Sequence, residues 1–467
     1  MTVAAIFLPA LAVAVLARPQ LATLAVVAAV WLNIPGVAVT DHGVPQAVGA
    51  LFPLPLLVPL AYVYLRRRPL VVDATFAALL LFAVAATVSA LFAADQTTAV
   101  TKLRELALEG VIVYVLVLNV VREPETLRAA LWALVLAGSC LAFVSVYQKA
   151  TGSFYRPYGG FGLVDSSFLR GQSDVPRLAG PLGDPNYYAQ ILVAVVPLAL
   201  LAAWREQRAR LRAAGIASAL LMCVAITLTY SRGAAVALVA VVVGMAMLGY
   251  LRARHLAAVA LAVGLLVALN PGYRDRVESV TALGGITAKS GAAVAADQSA
   301  RSRTTEMAAA GLAFLDHPLL GVGLGNFPAY YEQYAPRVGI QVLETTTSGA
   351  HEGEAAKREA HNIVLGVAAD TGLLGLAAFI AVIWTTLHGL RRARRRWLVA
   401  RPDLVNLADS LTLALVGYLV AGLFLTLAFE RYLWLLLAIA GAAASLARDP
   451  AAAETKAASR SSWRSSV

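Results

Sequence analysis

Apolar runs long enough to cross a membrane recur along almost the whole sequence, near 2–17, 21–39, 47–65, 70–94, 103–121, 126–148, 187–203, 213–230, 233–250, 254–269, 361–389, 408–429 and 431–447. A hydrocarbon layer of about 30 Å takes about 20 apolar residues as a helix. It also leaves no water to satisfy the backbone, so spanning segments must be helices or closed barrels. Uninterrupted runs of this length point to helices, and the expected fold is an all-α polytopic membrane protein of about 12 or 13 transmembrane helices. Composition agrees: 60% of the residues are apolar and 14% charged, against roughly 45–50% and about 25% in soluble domains. The first two runs are short, so one is read as a half-span or part of a hairpin, and the side of the N-terminus stays open. The first run has no basic segment ahead of it, and a second run follows Arg18-Pro19. That order fits a retained span better than a cleaved signal peptide.

The net charge of +11 would suit nucleic acid, but its placement suits a bilayer. Basic clusters fall at Arg66–Arg68, at Arg205, Arg208, Arg210 and Arg212, at Arg252 and Arg254, and at Arg391, Arg392 and Arg394–Arg396. All lie on one face if the runs cross in turn. The positive-inside rule makes that face, and with it the C-terminus, cytoplasmic. Nucleic acid is therefore not an expected partner. Cys140 and Cys223 sit inside apolar runs without pairing or metal-ligand spacing, and read as small buried hydrophobes.

Three regions follow: an N-terminal bundle over 1–148, a region of spans and long outward loops over 149–447, and a disordered cytoplasmic tail over 448–467. The loop 149–186 is rich in Gly, Pro and aromatic residues. The loop 270–360 is the largest polar stretch; 281–298 is Ala/Gly/Ser-rich and expected to be mobile. Residues 301–316 carry apolar residues at helical spacing and predict an amphipathic helix. "HPLLGVGLGNF" then closes it with a Pro/Gly turn.

Transport pathways place ionisable residues in mid-span. Here they gather at the outer ends of the runs: Glu105, Glu109, Lys149, Arg232, His361, Asp370, Glu430 and Arg431. A site at the surface of the membrane's outer leaflet is the simplest reason. Arg177 precedes a Pro/Gly turn and Arg232 sits between two runs; Arg232 reads as the partner of an anionic group or as an interfacial charge, and Arg177 as such a partner or as a plain solvated loop charge. His361 begins a run, where the positive end of a helix favours the neutral imidazole that a general base needs. Asn362 could orient the ring or a sugar hydroxyl; the alternative is a plain polar helix start. "GVGLG" lacks the flanking strand and helix of a phosphate loop, Ser231 lacks a nucleophile-elbow context, and His42, His317 and His351 lack metal-ligand spacing.

The motifs occur in a definite order. R-x-x-G-P-x-G-D-P-N (177–186) enters a run, S-R-G (231–233) separates two, and R-x-x-x-M (303–307) precedes H-P-L-L-G-V-G-x-G-N-F (317–327). Last come H-N-x-x-L (361–365) and D-T-G-L-L-G-L (370–376). Over roughly 150–380 this resembles the O-antigen ligase and O-antigen polymerase superfamily of bacterial envelope glycosyltransferases. The resemblance implies an all-helical enzyme of the inner membrane, with its active site facing the periplasm. It would move a glycan from undecaprenyl diphosphate to an acceptor sugar on a glycan or glycolipid, with inversion and without metal or other cofactor. Carried over, Arg177 and Arg232 hold the donor's diphosphate together with Arg303, His361 takes the acceptor's proton, and Asn186 and Asn362 are positioning residues. Asp370 stands where many members have Glu and Val364 where an aromatic is common, which bears on acceptor contacts. The aromatics Phe327, Tyr330, Tyr331 and Tyr334 either stack on sugars or form an interfacial belt.

A ligase, which transfers a finished chain, and a polymerase, which extends a lipid-linked one, use the same donor, and the motifs lean only slightly to the ligase. A transporter of lipid-linked glycan, the reading from another class, predicts mid-span charges and two homologous halves. Neither is present. A passive scaffold gives Arg177, Arg232, Arg303 and His361 no shared reason.

Overall fold

A computed structural model describes residues 20–49, 51–171, 174–204, 206–257, 261, 264, 291–338, 358–426 and 428–448. These are almost all helix. The principal elements are α1 (Gln20–Trp31), α2 (Ile34–Thr40), α3 (Leu57–Leu65), α4 (Ala74–Ala90), α5 (Gln96–Glu105), α6 (Val113–Val120), α7 (Pro124–Thr151), α8 (Pro185–Trp204), α9 (Ala209–Leu228), α10 (Arg232–Met247), α11 (Gly291–Asp316), α12 (Phe327–Tyr334), α13 (Ile363–Ala400), α14 (Val405–Gly422) and α15 (Arg431–Leu446). The one sheet among the described residues is a two-stranded antiparallel ribbon, β1 (Leu163–Val164) with β2 (Leu178–Gly180).

Among the described residues five helices are long and apolar enough to cross a membrane, or six if the pair α1–α2, bent by 55°, counts as one span. The expected count of about 12 is not reached among the described residues. Four of the runs form shorter apolar helices, Leu54–Leu65, Ala74–Ala90, Arg232–Met247 and Arg431–Leu446. The run at 103–121 is divided by a π-helical segment, Leu106–Ile112. Hydropathy reads through such breaks because the turn residues are themselves apolar. The run 2–17, most of 254–269 and the tail from Asp449 lie outside the described residues.

Two helices form the centre. Of α15 all but two residues are buried, and α8 is buried on nearly every side. A helix apolar all round belongs in the interior of a bundle or of a membrane. α15 packs on α6, α13 and α14, while α8 packs on α7, α9 and α14. On the periphery Leu220, Val224, Val236, Val239, Ile380 and Trp384 point outward, as lipid-facing positions do. Cys140, expected inside, is exposed on α7, and Cys223 is half-buried. Lipid and protein core are equally apolar, so hydropathy cannot choose between them.

Polar contacts collect at two ends. At one, Arg128 pairs with Asp403 at 2.8 Å and Arg394 with the buried Asp409 at 2.7 Å, while Tyr250 donates to the other Asp409 oxygen at 2.8 Å. This is the end of the Arg-rich turns. The loops 91–95, 152–171, 174–184, 229–231, 423–426 and 428–430 lie at the other, with α11 and α12 beside them. There a second, smaller core forms from Ala309, Ala310, Ala313, Val322, Phe327, Tyr331, Tyr334, Ala335, Ala360 and Ala369. α11 is the predicted amphipathic helix. It starts at Gly291, ten residues ahead of the expected 301 and inside the stretch read as mobile; alanine-rich sequence forms helix as readily as loop. The aromatics expected to meet sugars or lipid belong to this core: Phe327, Tyr331 and Tyr334 are buried.

The Gly-rich turn fastens α11 to the bundle. α13 breaks at Gly372 (φ 63°, ψ −163°), and the turn fills the break: Val322 N donates to Ala369 O at 2.8 Å, Gly323 N to Asp370 O at 3.1 Å, and Leu373 N to Pro318 O at 2.8 Å. Asp370 Oδ1 accepts from Phe327 N at 3.1 Å. Asn326 reaches the α4–α5 turn, its Oδ1 accepting from Asp95 N at 2.7 Å. At Gly321 and Gly372 φ is positive, and a Cβ would overlap the facing backbone. The glycines of "GVGLG" therefore serve chain-to-chain packing.

Candidate functional site

Arg177 lies beside β2, where Asp165 N donates to its carbonyl at 2.9 Å. Its guanidinium uses three directions: Nε donates to Thr229 O at 2.9 Å, Nη2 to Asn186 Oδ1 at 3.1 Å, and Nη1 lies 3.6 Å from Asp165 Oδ2. Thus Arg177 ties the ribbon to the start of α8 and to the turn ahead of α10. Asn186 is buried and orients that guanidinium. The sequence G-D-P-N explains the local turn: Asp184 Oδ1 accepts from Asn186 N at 2.6 Å and Tyr187 N at 3.1 Å. Pro185 fills the first helical position, where no N–H is needed.

Arg232 is the first residue of α10, capped by Ser231, and is half-buried. Arg303 is half-buried on α11. The structure brings the three arginines together. Burial pulls the Arg177 guanidinium below its ordinary value, the positive charges of Arg303 and Arg232 act the same way, and Asp165 and Asp184 oppose them. A guanidinium remains charged in such a setting. The charges of Arg232 and Arg303 thus act on Arg177 beside the N-termini of α8 and α10, whose ends add positive potential of their own.

His361 lies just ahead of α13 in a left-handed backbone conformation, φ 45°, which non-glycine residues adopt at a cost. Asn362 is the N-cap. Its Oδ1 accepts from Val364 N at 2.9 Å and Leu365 N at 3.0 Å, and its Nδ2 donates to Leu423 O at 3.0 Å. The amide thus fixes the backbone that carries the histidine, instead of turning towards the ring. His361 Nε2 lies 3.1 Å from Glu306 Oε2, and the Glu306 side chain is 4% exposed. The two atoms are at hydrogen-bonding distance but out of line, and among the described residues His361 Nδ1 is buried without a hydrogen-bond partner. Arg358 Nη1 donates to Glu306 Oε1 at 3.1 Å and stands over the Tyr331 ring.

α11 links the two groups, since Arg303 and Glu306 are one turn apart and share a face. A second link is the hydrogen bond from the Tyr187 hydroxyl to Glu359. Burial raises the Glu359 carboxyl above its ordinary value against that hydroxyl's opposing effect. Glu306 was not singled out from the sequence. The signal was its place on the buried face Thr305, Glu306, Ala309, Ala310, Ala313, where a carboxylate among alanines needs a partner. Among the described residues no group of three or more His, Cys, Asp or Glu could hold a metal ion. A cavity of about 600 Å³ between Arg128, Trp132, Leu198, Glu206, Asn406 and Leu407 lies at the opposite, Arg-rich end and contains none of these residues.

A comparison with curated proteins returns no match. Residues 217–380 match the O-antigen ligase family model. The matched segment contains Arg232, Arg303, His361 and Asn362; Arg177 and Asn186 precede it and join the site through the fold. Several helices are long and apolar enough to cross a membrane, and the match over 217–380 agrees with the motif order in supporting the O-antigen ligase superfamily for this integral membrane protein.

Proposed function

We propose that the protein is a metal-independent, inverting glycosyltransferase that moves a glycan from undecaprenyl diphosphate to an acceptor sugar at the periplasmic face of the inner membrane. The observation that carries this reading is the convergence of Arg177, Arg232 and Arg303 at the end of the bundle that also presents His361. In the transfer the acceptor oxygen bonds to the donor's anomeric carbon. The bond from that carbon to the diphosphate oxygen breaks, and the diphosphate keeps the electron pair. Guanidinium groups compensate the charge that develops there, and His361 takes the acceptor's hydroxyl proton. Asn186 positions Arg177, and Asn362 positions the backbone of His361. A donor held by its diphosphate at headgroup depth leaves its polyprenyl chain among the apolar outer faces of the helices.

A ligase and a polymerase differ in the acceptor, and the ligase is preferred. The test is transfer from undecaprenyl-diphosphate-linked oligosaccharide in proteoliposomes with EDTA present, comparing wild type with His361→Ala and identifying the product by mass spectrometry. Transfer that survives EDTA and disappears in the variant supports the reading, and the mass of the product separates ligase from polymerase. Transfer of wild-type rate in His361→Ala refutes the base. Movement of intact lipid-linked glycan between leaflets without transfer refutes the enzyme.

A further inference from the structure

We propose that Glu306 is the positioning residue for His361, and that it makes Nδ1 the nitrogen that takes the acceptor's proton. The inference rests on the reading of His361 as the base and assigns a residue and an atom that this reading leaves open.

The argument begins with the donor inventory. A carboxylate only accepts hydrogen bonds, so the ring nitrogen 3.1 Å from Glu306 Oε2 has to carry its hydrogen. In a neutral imidazole the lone pair is then on Nδ1. That atom is buried and has no hydrogen-bond partner among the described residues, a costly state for a polar nitrogen that a reacting hydroxyl would relieve. The poor alignment of Nε2 with Oε2 is ordinary for catalytic pairs before substrate binds, which tighten in the complex.

Glu306 is itself held. Its carboxylate is 4% exposed, Arg358 engages the other oxygen at 3.1 Å, and α11 is pinned by the Gly-rich turn. Asn362, the next residue, caps α13 and anchors the backbone beside His361, which is in a left-handed conformation. The imidazole is therefore fixed at its backbone by Asn362 and at its ring by Glu306. The proton passes from the acceptor oxygen to Nδ1 as that oxygen bonds to the anomeric carbon, and leaves to solvent after the polyprenyl diphosphate departs. Glu306 keeps its electron pair and takes no proton.

The test compares wild type, Glu306→Gln, Glu306→Asp and His361→Ala as full chains in proteoliposomes. Undecaprenyl-diphosphate-linked oligosaccharide is the donor, a membrane lipid extract supplies the acceptor, and binding of undecaprenyl diphosphate is measured separately. Gln preserves shape and removes the obligate acceptor; Asp preserves the acceptor and shortens the reach. The expected result is a kcat at least tenfold lower in Glu306→Gln, with donor KM and undecaprenyl diphosphate binding within twofold of wild type. Glu306→Asp should retain the higher kcat of the two. A role in packing alone predicts the reverse order, and that order, or wild-type kcat in Glu306→Gln, overturns the proposal. Loss of diphosphate binding in both Glu306 variants overturns it as well. If His361→Ala turns over normally, the base assignment itself has failed and this inference falls with it; an inactive His361→Ala beside a fully active Glu306→Gln removes Glu306 alone.

Discussion

Replacing Gly372 by Ala should harm the protein well beyond the usual effect of one methyl group. At φ 63° and ψ −163° the residue occupies a region essentially confined to glycine, and forcing another residue there costs about 1–3 kcal/mol. The added Cβ would also overlap the Leu319 carbonyl and the Leu320 nitrogen. These are backbone atoms held by the Leu373–Pro318 hydrogen bond, so they cannot swing aside as a side chain end would. Overpacking of this kind costs about another 1–3 kcal/mol. Together the two give about 2–6 kcal/mol, a large part of the margin by which a typical domain stays folded. Gly43 is the control: it also has a positive φ (66°), but its Cβ would meet nothing within 4 Å. There the cost should be limited to about 1–2 kcal/mol of backbone strain. Thermal unfolding in nanodiscs, followed by intrinsic fluorescence, should show Gly372→Ala melting several degrees below Gly43→Ala. Equal melting temperatures would refute the account of the turn as a tightly fitted wedge. Because that wedge holds α11, transfer activity should fall further in Gly372→Ala than its melting temperature alone implies.

Asn362→Ala removes an N-cap and should cost about 0.5–2 kcal/mol, with loss of transfer, whereas Asn362→Asp should keep the melting temperature closer to wild type. Arg177→Lys keeps the charge but cannot reach both Thr229 O and Asn186 Oδ1 from a single nitrogen; binding of undecaprenyl diphosphate should weaken about tenfold, equivalent to about 1.4 kcal/mol. Glu359 holds its proton more tightly folded than unfolded, so its ionisation works against the fold once pH rises above its unfolded value, and increasingly so towards its raised folded value. Glu359→Gln should therefore melt at or above wild type at pH 8, with the difference shrinking as pH is lowered to 5; a variant far less stable at pH 8 would contradict the direction.

The helical membrane architecture could be read from hydropathy because the bilayer imposes it, whereas an outer site was an expectation drawn from the absence of mid-span charges. The motif order also led to Arg177, Arg232, Arg303 and His361 before any contact was known. Other features were hidden for specific reasons. Span ends were misjudged where apolar turn residues such as those around 70–73 and 91–94 extend a run without extending the helix. Cys140 could not be assigned to a surface, since its lipid face and a protein core share one polarity. Glu306 lies 55 residues from His361 in sequence, and their meeting depends on the wedge at Gly372, a tertiary contact. Asn362 was legible as polar and near a helix start, but its two cap hydrogen bonds show that its amide serves the backbone.

The enclosure of α15 bears on how the molecule is made. It is the last described helix to leave the ribosome, yet it ends with almost no surface free of protein, packed among α6, α13 and α14. Those neighbours are synthesised earlier and inserted first. A bundle that closed around itself before Arg431–Leu446 arrived would have no room for a helix carrying Tyr432, Trp434 and a row of leucines. Assembly must therefore keep a seam open until late, so a pause in translation before residue 431 should leave the earlier helices gathered but unsealed.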